Sequence, residues 1–86
     1  MSWQIGKVYI PAPYNAPGMV ARVTESIIPR LYGPDAVDFA LNAGWLQELS
    51  PHREGYRRFS IQLTDQRTYA AITVSFVLSF HGSYLN

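Results

Sequence analysis

Two runs decide the fold of this chain: Phe59-Ser60-Ile61-Gln62-Leu63-Thr64, and Ala71-Ile72-Thr73-Val74-Ser75-Phe76-Val77-Leu78-Ser79-Phe80. In the first, Phe59, Ile61 and Leu63 alternate with polar residues. In the second, Ile72, Val74, Phe76, Leu78 and Phe80 alternate with smaller ones. Successive side chains of a strand point to opposite faces, so each run has one apolar face and one mild face. The polar break Asp65-Gln66-Arg67 between them predicts a short turn and therefore an antiparallel hairpin, with strands over residues 56–64 and 69–80.

Upstream of the hairpin the apolar period changes. Val37, Ala40, Leu41, Trp45 and Leu49 recur at helical spacing and predict a helix over residues 34–49, closed by Ser50-Pro51. Pro34 suits a first helical position, and Asp35 and Asp38 place negative charge at the positive end of the helix. Gly44 falls on the same apolar face, where a glycine predicts a close approach by a neighbouring element. Val20, Val23, Ile27, Ile28 and Leu31 share one helical face and predict an earlier helix over residues 19–28, which Pro29 ends or kinks; the run 19–24 alone also fits a strand. Before it, Pro11-Ala12-Pro13-Tyr14-Asn15-Ala16-Pro17-Gly18 forms a loop stiffened by three prolines, which presents Tyr14 at low entropic cost. Trp3, Ile5, Val8 and Ile10 predict the first strand, over residues 4–10, with an irregularity at Gly6. The expectation is a single α+β domain over residues 1–86. A three-stranded, mainly antiparallel sheet is covered on one face by two helices, in the order β-α-α-β-β.

Composition narrows the function more by exclusion than by indication. A chain of 86 residues makes one small domain with a thin core. It has no cysteine, so neither a disulfide nor a thiolate metal site can brace it, and a cytoplasmic setting is expected. Its two histidines, His52 and His81, lie far apart and in no ligand motif, so no metal and no cofactor is expected. The net charge of +1 leaves no broad footprint for nucleic acid. No run is long and apolar enough for a membrane span, and no apolar leader is read in residues 1–10. Charged residues make up only 15% of the chain against about 25% in an ordinary domain, while aromatics reach 14%. Such a surface predicts that some aromatic area faces a partner.

No residue set reads as catalytic. Asp35 and Asp38, one turn apart at a helix start, are explained by the helix dipole. His81 beside Gly82 and Ser83 lacks the strained turn that exposes a catalytic serine. No glycine-rich phosphate loop is present. The candidate site is instead the basic and aromatic cluster Arg53, Tyr56, Arg57 and Arg58, which holds three of the seven basic residues within six positions. Arginine binds carboxylate or phosphate bidentately and stacks on aromatics. On a strand Tyr56 and Arg58 share one face and Arg57 takes the other, so the four do not all converge. The plainer reading of this cluster is a solvated strand entry. Tyr14 and Tyr32 are the further candidates, since tyrosine joins an apolar body to a polar tip. The small face Ala71, Thr73, Ser75, Val77 and Ser79 either meets solvent or admits another layer.

These features predict a small non-enzymatic protein-binding module, either an inhibitor or adaptor or a self-assembling structural subunit. The expected partner is a protein with an acidic surface, together with further copies of the chain, and the expected setting is that of a phage or mobile-element accessory protein. The alternative expectation is a small-molecule or nucleotide-binding protein that uses the arginine and tyrosine cluster at a subunit interface.

Overall fold

A computed structural model describes residues 2–49 and 57–81. Along the chain these form β1 (Ser2–Tyr9), α1 (Pro17–Ile27), a 3-10 turn at Ile28–Arg30, α2 (Ala36–Ala43), β2 (Gln47–Glu48), β3 (Arg57–Thr64) and β4 (Ala71–His81). The fold is α+β, with two helices and an antiparallel sheet of four strands in the order β1-β4-β3-β2.

The hairpin forms as its alternation requires. Phe59 pairs with Phe76, Ile61 with Val74 and Leu63 with Ile72, so the apolar positions of both strands share one face. Phe59 and Phe76 are fully buried, with ring centroids 6.4 Å apart. The turn is longer than its three polar residues suggest, because Thr68, Tyr69 and Ala70 belong to it. Asp65 organises it. Its carboxylate accepts the Arg67 N–H at 2.9 Å, its carbonyl accepts the Tyr69 N–H, and its own N–H donates to the Ala70 carbonyl. Tyr69 takes a left-handed backbone, φ 60°, to close the turn.

β1 adds to the far side of β4, with Trp3 opposite Phe80 and Ile5 opposite Leu78. The expected irregularity is a one-residue bulge: Gly6 pairs with Val77 but Tyr9 pairs with Ser75. The left-handed residue is Lys7, φ 39°, rather than the glycine. The bulge has a clear packing reason. Strict alternation from Trp3 and Ile5 would bring Lys7 and Tyr9 to the core face; one extra residue brings Val8 and Ile10 there instead. Ile10 is buried and Tyr9 exposed, as this shift demands.

Two expectations are corrected. The sheet has four strands, not three, and the second helix ends at Ala43, well short of Leu49. Both differences come from Gly44. It caps α2 in a left-handed conformation, φ 86°, with its N–H on the carbonyls of Ala40 and Leu41. A Cβ built there would meet nothing within 4 Å, so the glycine serves backbone conformation and not a close approach. The chain freed by this cap runs on through buried Leu46 into β2, where Gln47 pairs with Ser60 and Glu48 with Phe59. The helix also begins later than Pro34, with Asp35 as its N-cap residue and Asp38 in its first turn. α1 gives way to the 3-10 turn at Pro29, which has no N–H for the helical ladder. Val23, Ile27, Leu31, Val37 and Ala40 from the helical segments join Phe59, Val74, Phe76 and Leu78 in one buried cluster.

Candidate functional site

The basic cluster enters the sheet at the start of β3. Arg53 and Tyr56 lie outside the described residues. Arg57 and Arg58 pair with Leu78 and Val77 and so point to opposite faces, as strand alternation predicts. Arg57 is already engaged. Its Nε and Nη2 donate to the two carboxylate oxygens of Glu48 at 2.9 and 2.8 Å, and its guanidinium lies over the Phe59 ring, 5.2 Å from the centroid. The bond from Arg57 holds the Glu48 carboxyl below its ordinary range, and Glu48 in turn raises the guanidinium. Arg58, half buried on the opposite face, has no ion pair among the described residues.

Tyr14 and Tyr32 differ sharply. Tyr14 is half buried, and its hydroxyl donates to an Asp65 carboxylate oxygen at 2.9 Å, across 51 positions of sequence. This bond raises the Tyr14 hydroxyl above its ordinary value. Asp65 is lowered, first by the Arg67 N–H and then by Tyr14. Tyr14 therefore ties the proline loop to the tip of the hairpin. Tyr32 is 85% exposed.

Other exposed apolar residues were not singled out by the sequence. Phe39 is 72% exposed and Tyr69 82%, and Tyr9 and Ile28 are also exposed. For Phe39 a signal existed, since it falls off the stripe of Val37, Ala40 and Leu41 and so occupies the outer side of α2. Ile28, Tyr32 and Phe39 come from one stretch that spans the 3-10 turn and α2. Beside it Arg30 stacks on Trp45, with its guanidinium carbon 4.1 Å from the ring centroid.

The hairpin tip borders an open groove of about 540 Å³. Tyr14, Met19, Leu63 and Ile72 supply apolar wall, and Asp65 and Arg67 stand at the turn end. The groove runs along Gln62, Leu63 and Thr64 of β3, past the point where β2 ends. Among the described residues no group of three or more His, Asp or Glu is placed to hold a metal, and no helix is long and apolar enough to cross a membrane. Compared with known proteins, the chain matches no family model, no curated protein and no solved structure.

Proposed function

We propose that this chain is a small non-enzymatic protein-binding module, an inhibitor, adaptor or self-assembling subunit. The observation that carries the reading is the exposure of Tyr32 and Phe39, together with Ile28, on the segment from the 3-10 turn through α2. Aromatic side chains bury large area when a partner covers them and lose little rotamer entropy in doing so. In this reading the two helices cover one face of the sheet, and their outer side offers the binding surface. Arg58 lies on the other face of the sheet, so the basic side chain beside this surface is Arg30, stacked on Trp45. Self-association and a cytoplasmic, phage-type setting belong to the same proposal; the thin core supports the first, and the absence of cysteine accords with a cytoplasmic one. The nucleotide alternative loses support from Arg57, whose guanidinium is already bidentate on Glu48.

Affinity enrichment with the wild-type chain and with a Tyr32→Ser, Phe39→Ser double variant tests the proposal. Both sites are exposed, so each change should alter stability by no more than about 0.5 kcal/mol. The wild type should retain a protein that the folded double variant loses. A thermal shift on nucleotide addition, with no protein lost by the double variant, would favour the nucleotide alternative and overturn the proposal.

A further inference from the structure

The two ends of the β3–β4 hairpin differ in their edges. The Leu49 N–H donates to the Arg58 carbonyl at 2.8 Å, so the backbone groups of Arg58 face β2. Alternation turns those of Ser60, Gln62 and Thr64 the same way, while Phe59, Ile61 and Leu63 bond to β4. Ser60 meets Gln47, and among the described residues no strand lies beyond. Upstream of Gln47 the chain leaves the ladder, and Gly44 and Trp45 stand across a cavity of about 150 Å³ from Ser60, Ile61 and Gln62. Gln62 and Thr64 therefore direct N–H and C=O groups past the end of β2, along the groove formed by Tyr14, Met19, Leu63 and Ile72.

We propose that this edge of β3 accepts an extended segment of a partner protein, which adds antiparallel to Gln62–Thr64 in line with β2. The proposal rests on the protein-binding reading and adds to it a second contact of the same partner. The geometry sets the occupant's pattern. Residues paired with Gln62 and Thr64 point to the face opposite the core. The residue between them stands beside Leu63, on the groove side, and calls for an apolar side chain. Two positions earlier in an antiparallel segment, the same face reaches the turn. Asp65 is committed there to Tyr14 and to the Arg67 N–H, whereas the Arg67 guanidinium has no ion pair among the described residues. An acidic residue at that position complements it. The predicted segment thus reads acidic, any residue, apolar.

A second copy of the chain does not fit this edge. Two-fold pairing of Gln62 with the second copy's Thr64 would set the second copy's Gln66 opposite Ser60, where Gln47 already sits. A segment without an attached turn avoids that collision.

The probe is a capped synthetic peptide, Thr-Glu-Thr-Leu-Thr, compared with the same peptide N-methylated at the threonines in positions three and five, whose amides would face β3. Amide exchange in the free protein should be fast at Gln62 and Thr64 and slow at Ile61 and Leu63. The unmodified peptide at millimolar concentration should slow Gln62 and Thr64 at least tenfold, and the N-methylated peptide should not. Glu→Lys in the peptide should weaken binding, and Arg67→Glu in the protein should restore it. Equal binding of both peptides, or no protection at saturation, overturns the proposal. Protection already present in the free protein and rising with its concentration places a second copy there and also overturns it. Thr64→Pro leaves the β4 ladder untouched, because the Thr64 N–H faces outward. If the folded Thr64→Pro chain still retains the protein that the Tyr32→Ser, Phe39→Ser variant loses, the edge is wrong and the broader reading stands.

Discussion

The two ends of one hairpin are built in different ways. Where Phe59 faces Phe76, the ribbon has β2 on one side and β1 on the other, and both rings are buried. Where Leu63 faces Ile72, neither neighbour reaches: β2 stops opposite Ser60, and β1 stops opposite Ser75. The distal end is held by side chains instead, through Met19 and the bond from Tyr14 to Asp65. The same alternating pattern thus supports a braced region and a projecting one. The difference is set by the segments that terminate the flanking strands, Pro11 on one side and Gly44 on the other.

Truncation separates the two ends most strongly. Phe76→Ala should cost about 3–5 kcal/mol, as large-to-small changes in a closed core do. Leu63→Ala, at a half-buried site, should cost less than about 2 kcal/mol. Urea melts of both variants check this, and equal losses would erase the distinction. Gly44→Ala should cost about 1–2 kcal/mol, purely from the left-handed backbone, since space for the methyl group is open. Its loss should spread to the β2 pairing, read as faster amide exchange at Leu49. Thr73→Ala, at an exposed position whose hydroxyl accepts from the Gln62 side-chain amide, should stay within about 0.5 kcal/mol. Tyr14→Phe should leave the global melt nearly unchanged. It should speed exchange at Tyr69 and Ala70, in the turn, while the Phe59 and Phe76 amides keep their protection.

Acid gives a graded version of the same comparison. Asp65 and Glu48 both have lowered values in the folded chain. Their stabilisation is present above the ordinary carboxylate values of 3.8 and 4.5, and it is lost as pH falls through the lowered folded values. Tyr14 runs the other way. Its folded value is raised, so its contribution is complete below pH 10 and disappears as pH climbs through the folded value. The distal turn should therefore loosen at both extremes in wild type. Tyr14→Phe should keep only the acid limb, measured by exchange at Tyr69.

The alternation of residues 59–64 and 71–80 was legible because period two survives any local detail of the turn. The bulge was legible in outline, since Trp3 and Ile5 fall on odd positions and Val8 and Ile10 on even ones. The end of α2 was not. Leu41, Trp45 and Leu49 keep helical spacing straight through Gly44, and only the backbone conformation of that glycine breaks the element. β2 was invisible because two polar residues carry no periodic signal. Within the candidate cluster, the opposed faces of Arg57 and Arg58 followed from strand geometry. The engagement of Arg57 by Glu48, and of Tyr14 by Asp65, depends on register between distant segments, which local pattern does not encode.

The extra residue at Lys7 gives β1 two parities. Up to Ile5 the odd positions face the core side, and from Val8 onward the even positions do, so polar changes there should be tolerated least. A map of tolerated substitutions along residues 3–10 would show its stripes exchange places at one residue. Removal of that residue would restore one unbroken parity and turn Val8 and Ile10 outward together. A single-codon deletion there should thus weigh more heavily than replacement of Lys7 by a residue at ease in a left-handed backbone, such as asparagine.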